Sequence, residues 1–291
     1  MIWDILMLRK PIMPVTASSD PANAIRGHVL VFDSGVGGLT VAQDIAALLP
    51  NVHIDYAADT GFFPYGDKSD AQLSARVPQM ALALYQRLLP DVFVIACNTA
   101  STLAIEAVRA VLPCPVIGTV PAIKPAAAMS KTGVIGLLAT PGTLKRSYTA
   151  RLIADFAADK CIIPHGSIAL VKLAEAAAGG HTPPLQAFVD AQAPLFHHAQ
   201  SNEMDVIVLA CTHFPLVRDQ LMKSAPRHVT YIDSGAAIAQ QTKRVLKSLK
   251  TEHRAHPKHA SVYTTSDPTN QPHLADVFPR YGFKTLINLS L

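Results

Sequence analysis

Cysteine is scarce in this 291-residue chain: there are four, Cys97, Cys114, Cys161 and Cys211, and no Cys-x-x-Cys pair. That scarcity removes the usual signatures of a zinc site, a thioredoxin-like redox motif and a disulfide framework. A surplus of one charge is lacking as well. Twenty-five basic residues against 21 acidic ones leave a formal net of +4, and no segment concentrates Lys and Arg among aromatics. Nucleic acid is therefore not an expected partner. No apolar run approaches the ~18 residues that read as a membrane span, so no membrane association is expected. What the chain has in quantity is apolar material, 49% of its residues, enough for a substantial core and too much for a disordered protein.

The first 26 residues stand apart. MIWDILML is too short for a secretory core, Asp4 interrupts it, and Arg9-Lys10 follows rather than precedes it. Residues 1–26 are expected to be a disordered extension or an upstream start, with Met7 and Met13 as alternative starts, and the location is expected to be the cytoplasm.

From residue 29 onward short apolar runs alternate with amphipathic stretches. Strands are expected at VLVF (29–32), HIDYAA (53–58), VFVIA (92–96), PVIG (115–118), GVIGLLA (133–139), VIVLA (206–210) and VTYI (229–232), with an edge strand in ASVYTTSD (260–267). Helices are expected at LTVAQDIAALL (39–49), TLAIEAVRAVL (102–112) and PLVRDQLMK (215–223). Alternation of this kind predicts an α/β fold of parallel sheets with crossover helices, and strands apolar on both faces suit such sheets.

Two motifs occur twice. DVFVIACNTAS (91–101) and DVIVLACTHFP (205–215) each run from Asp-Val through an apolar strand into Ala-Cys and a polar residue; VFDSG (31–35) and YIDSG (231–235) each end a strand in Asp-Ser-Gly. The duplication predicts two similar lobes, each a mainly parallel sheet flanked by helices, with the active site in the cleft between them. The Pro- and Ala-rich PVIGTVPAIKPAAAMSKTG (115–133) makes one crossing, and the chain recrosses near 233. The expected division is 27–121 with 233–291 for the first lobe and 122–232 for the second. Ligands of parallel α/β sheets bind beyond the carboxyl ends of the strands, where all four motifs fall.

A lone buried cysteine is usually apolar filler. A repeated cysteine at facing strand ends, before an expected helix, suggests chemistry instead. A helix N-terminus binds carboxylates and lowers a thiol's pKa from ~8.5. Asn98, Thr99, Thr212 and Ser34 add short polar groups that can hold an amino acid. Two thiols on opposite sides of a small ligand suit racemisation: one thiolate removes a proton from a stereocentre and the opposite thiol delivers another. Asp33, also a good helix cap, is a candidate helper for Cys97, and His213 for Cys211. DSGVGG fails the G-x-G-x-x-G spacing because Thr40 stands at the third glycine position. His253, His256 and His259 read as a solvated loop, and no metal site is expected.

At these residues the chain resembles the glutamate racemases of the cofactor-independent aspartate/glutamate racemase family. The matching segments are FDSGVGGLTV (32–41), DTGFFPYGDKS (59–69), IACNTAST (95–102), LATPGTLKRSYT (138–149), LACTHFPL (209–216), IDSG (232–235) and YTTSDP (263–268). The resemblance implies interconversion of L- and D-glutamate without a cofactor, with Cys97 and Cys211 as proton donor/acceptors assisted by Asp33 and His213. It implies substrate contacts from Asp33, Ser34, Tyr65, Gly66, Asn98, Thr99, Thr212 and His213, with Thr140 and Thr143 adding others. Glu175 matches a glutamate that assists His213, although Lys172 stands where relatives often carry an acid. DTGFFPYG lacks an arginine that many members carry before PYG. The resemblance further implies a supply of D-glutamate for peptidoglycan, a homodimer, and activation by UDP-muramoyl-alanine, the LKRSYT stretch looking most like the activated branch. Aspartate racemase is the nearest alternative, although CTH replaces the CTE usual there. A non-catalytic amino-acid binder needs neither thiol, and a cysteine hydrolase built on Cys211 and His213 leaves Cys97 without a purpose.

Overall fold

A computed structural model describes residues 25–249, 260–266 and 272–289. The expected extension, apart from its last two residues, and the 253–259 histidines lie outside the described residues. In chain order the first elements are β1 (His28–Asp33), α1 (Leu39–Leu48), β2 (His53–Ala58), α2 (Asp70–Leu88), β3 (Val92–Ile95), α3 (Asn98–Val111) and β4 (Val116–Gly118). The middle of the chain adds α4 (Ile123–Met129), β5 (Val134–Ala139), α5 (Pro141–Lys145), α6 (Ser147–Phe156), β6 (Cys161–Gly166), α7 (Ile168–Ala178), α8 (Leu185–Phe196), β7 (Val206–Ala210), α9 (Arg218–Ser224) and β8 (Thr230–Ile232). The last elements are α10 (Gly235–Ser248), β9 (Ser261–Thr264), α11 (Pro272–Arg280) and β10 (Thr285–Asn288).

The strands form two sheets, one of six in the order β10-β9-β2-β1-β3-β4 and one of four in the order β6-β5-β7-β8. Among the described residues every strand pair is parallel. The cause is visible in the strand sequences. In HVLVFD, Val29 and Val31 point to one face with Ile45 of α1, Ile238 of α10 and Phe278 of α11. Leu30 and Phe32 point to the other, with Leu73 and Leu84 of α2 and Val108 of α3. The second sheet repeats the arrangement. Leu138 and Leu209 meet Leu170 of α7 and Phe188 of α8 on one face; Leu137 and Val208 meet Ile123 of α4 and Ile153 of α6 on the other. Strands apolar on both faces need helices on both, and parallel crossovers supply them.

Four expectations change. β6 was not expected as a strand because Pro164 interrupts CIIPHG; it forms at the sheet edge, where a residue without an N–H is tolerated. ASVYTTSD gives β9, which is not an edge, since β10 pairs outside it. TLIN of β10 is too short and too exposed to signal itself. PLVRDQLMK divides into a 3₁₀ turn, Phe214–Val217, and the short α9. Among the described residues no helix is long and apolar enough to cross a membrane.

Phe188 is wholly buried under the second sheet. Phe188→Ala is expected to lower unfolding stability by about 3–5 kcal/mol, measured by urea denaturation. A loss under about 1 kcal/mol would show that this layer repacks freely.

Candidate active site

The carboxyl ends of the two sheets meet. Asp33 closes β1, Cys97 follows β3, Thr140 follows β5 and Cys211 follows β7. Both thiols are buried, at 6% and 7% exposure. They lie close enough that charge on Cys211 raises the Cys97 thiol.

On the first side Asp33 is completely buried. Its carboxylate accepts from the Gly35 N–H at 2.8 Å and, across the cleft, from Thr212 Oγ1 at 2.8 Å. Ser34 Oγ stands between the acid and the thiol, 3.5 Å from Asp33 Oδ1 and 3.9 Å from Cys97 Sγ. Cys97 occupies the N-cap position of α3. The expected downward shift of its thiol does not occur. Burial is the largest influence and pushes the thiol up, the Asp33 charge adds to it, and the hydrogen bond from the Ala100 N–H only partly offsets them. A helix terminus loses to desolvation and an adjacent anion.

On the second side the His213 imidazole stands beside Cys211, whose charge acts on it, and His213 Nε2 lies 2.7 Å from Glu175 Oε2 on α7. Burial by itself disfavours the charged imidazole, but the interactions with Cys211 and Glu175 outweigh it and hold His213 well above its ordinary value. The Phe63 ring packs on His213 with centroids 5.5 Å apart. Cys211 differs from the expected helix N-terminus, because the turn Phe214–Val217 separates it from α9. Gly37 shows how tightly the halves fit: a Cβ there would lie 2.4 Å from His213 Nδ1 and 2.8 Å from Thr212 Oγ1.

Around the thiols, Thr99 Oγ1 of α3 meets Thr140 Oγ1 at 3.0 Å and Thr143 Oγ1 at 3.4 Å, a hydroxyl cluster spanning the two sheets. Asn98 is buried and its side-chain oxygen has no hydrogen-bond partner among the described residues. It lines a small cavity together with Cys211, Thr212 and Thr40. The buried Tyr65 hydroxyl donates to Asp59 Oδ2 at 2.6 Å, which leaves the backbone of its turn toward the site. Gly66 does face the second sheet, where a Cβ would come within 3.1 Å of Thr140.

Residue patterns alone missed the support behind that turn. Asp59 is completely buried. It accepts from Arg76 Nε and Nη2 at 2.8 and 2.7 Å and from the Thr265 hydroxyl at 2.6 Å. Arg146 of the LKRSYT stretch pairs with Asp70 at the start of α2. The only signal for Asp59 and Phe63 was their place in DTGFFPYG.

A family described as Asp/Glu/Hydantoin racemase matches residues 40–242. The chain belongs to this racemase family. It is 45% identical over 262 residues to a glutamate racemase of Sphingopyxis alaskensis, covering 89% of this chain and 96% of that one. It is 44% identical to one of Klebsiella pneumoniae, covering 94% of each. Its fold superposes with a TM-score of 0.85 on Escherichia coli glutamate racemase solved in complex with L-glutamate and the activator UDP-MurNAc-Ala, at 43% identity over 91% of this chain and 98% of the other. Two-sheet α/β architecture and racemase membership thus agree.

The direction of the Cys97 shift is testable in this racemase. The ultraviolet absorbance of the Cys97 thiolate, isolated by difference from Cys97→Ser, is expected to be absent about one pH unit above the ~8.5 of a free thiol. Half-titration at or below that value contradicts the burial argument.

Proposed function

We propose that the protein is a glutamate racemase that interconverts L- and D-glutamate through two thiols. The observation that carries the reading is the pair of buried cysteines at facing strand ends, Cys211 near enough for its charge to act on Cys97, each with its own polar partner. In one direction the Cys211 thiolate, beside a His213 imidazolium backed by Glu175, takes the α-proton. The protonated Cys97 thiol then delivers its proton to the opposite face, and the charge moves from one sulfur to the other. The reverse direction exchanges the roles. Asn98, with its spare buried oxygen, and Asp33, through its carboxylate, suit the substrate ammonium; Thr99, Thr140, Thr143 and Thr212 suit its carboxylates, with Ser34 and the Tyr65-Gly66 turn closing the site.

The finer assignments belong to the same proposal. The division of the chain into 27–121 with 233–291 and 122–232 is supported by the strand membership of the two sheets. Supply of D-glutamate for peptidoglycan in a bacterial cytoplasm, homodimer formation and activation by UDP-MurNAc-Ala are supported by family membership. For the activator there is also the complex of the E. coli relative.

With L-glutamate in D₂O and no added pyridoxal phosphate, racemisation with α-deuterium uptake is expected. Cys97→Ser and Cys211→Ser are each expected to lose at least about 10²-fold in turnover, and wild-type activity in either variant ends the two-thiol mechanism. Tight binding without exchange favours a binder, and faster turnover of aspartate than of glutamate favours the aspartate enzyme.

The Glu175–His213 pair gives a pH prediction. His213 is held above its ordinary value, so its proton is kept through neutral pH and lost as pH rises through the folded value. Glu175→Gln removes one cause of that rise. The alkaline limb of kcat/KM is expected to move to lower pH, while an unmoved limb would show that Glu175 does not set the His213 charge.

A further inference from the structure

At the amino ends of the first sheet, opposite the thiols, His28 and His53 open β1 and β2 and are direct partners in the parallel register. Asp55, two residues beyond His53, projects from the same face by the period-two alternation of a strand. Nε2 of His28 lies 3.1 Å from Asp55 Oδ2, and Nε2 of His53 lies 3.2 Å from Asp55 Oδ1. All three donor atoms fall within 4.8 Å of one another. The side chains are nearly sealed from solvent, at 5%, 11% and 6% exposure for His28, His53 and Asp55.

We propose that His28, His53 and Asp55 form a binding site for a divalent cation of the zinc class that clamps β1 to β2. The geometry supports it numerically. Metal–ligand bonds of ~2.0–2.1 Å in a tetrahedron place neighbouring donors roughly 3.3–3.4 Å apart, close to the two spacings seen. Two imidazoles and one carboxylate are a donor set suited to zinc rather than to magnesium or calcium. The site also has outer support, because the Ser261 N–H donates to Asp55 Oδ1 at 2.7 Å and orients the carboxylate. Charge favours occupancy, since a buried carboxylate is costly unless compensated. Five residues of strand, about 16 Å, separate His28 from Asp33. The ion therefore acts on stability and takes no part in proton transfer.

The competing state is a hydrogen-bonded cluster of the same three side chains without metal. The full-length protein, stripped with chelator, is titrated with Zn²⁺ alone by calorimetry and with Co²⁺ by absorption spectroscopy. Uptake of one ion per chain is expected, with tetrahedral Co²⁺ bands and a rise in melting temperature. Asp55→Asn and His53→Gln are expected to weaken binding at least ~100-fold, beyond the 10–100-fold typical of an outer partner. The racemisation rate should be the same loaded and unloaded. Failure to take up metal, or undiminished uptake by both variants, overturns the proposal. If the variants do not fold, wild-type Co²⁺ spectra without tetrahedral bands overturn it equally.

Discussion

The site depends on one buried carboxylate. Asp33 ends one of the two central strands of the six-stranded sheet, has no exposed surface, and accepts a hydrogen bond from Thr212 just past β7 of the other sheet. That bond ties the two strand-end loops together, and the absence of a side chain at Gly37 lets the first loop come that close. Asp33 meets neutral donors, the Gly35 N–H and the Thr212 and Ser34 hydroxyls. An anion buried among dipoles favours a cation nearby, and on the proposed reading the ammonium of the amino-acid substrate provides it.

The same charge makes the two thiols unequal. Cys97 sits beside an anion and is driven toward its protonated form. Cys211 sits beside an imidazole that Glu175 and Cys211 itself hold toward its charged form. The two thiols thus have unlike neighbours, an anion beside Cys97 and an imidazole held toward its charged form beside Cys211, although the backbone motifs carrying them are near repeats. Substrate ammonium near Asp33 would reduce the push on Cys97, bringing its thiol nearer to what reverse proton transfer requires. Near-symmetry of the fold with asymmetry of the neighbours is what a reversible two-base reaction asks for.

Much of this was legible in the residues. The strands with unbroken apolar runs, such as VLVF and VIVLA, formed where expected because burial on both faces leaves a strong pattern. β6 and β10 were missed because edge strands need less apolar surface, and Pro164 is excluded from interior strands but not from edges. The thiols were visible through their duplicated context. The direction of the Cys97 shift was not, since it depends on how much water is removed and on Asp33, 64 positions away in sequence. The helix terminus, the one influence readable locally, proved the weaker. Nor did PYG reveal that the Tyr65 hydroxyl serves Asp59, a contact that exists only once Arg76 and Thr265 have been brought to the same carboxylate.

Those long-range contacts explain why the first sheet needs the C-terminal return of the chain. Two buried carboxylates bracket the carboxyl half of β2, Asp55 within it and Asp59 just past its end, and each grips the returning strand. The Ser261 N–H donates to Asp55 and the Thr265 hydroxyl to Asp59. β9 is therefore pinned at both ends of its pairing with β2. Through Asp59 the second pin reaches Tyr65 and the turn that presents Gly66 to Thr140. Asp59 is buried while Arg76 reaches it from the partly exposed surface of α2, so losing Arg76 would leave a buried carboxylate short of its cation, and the pair holds that turn more firmly than two exposed charges would. A segment more than 160 residues from Cys97 in sequence thus helps to set one wall of its cleft.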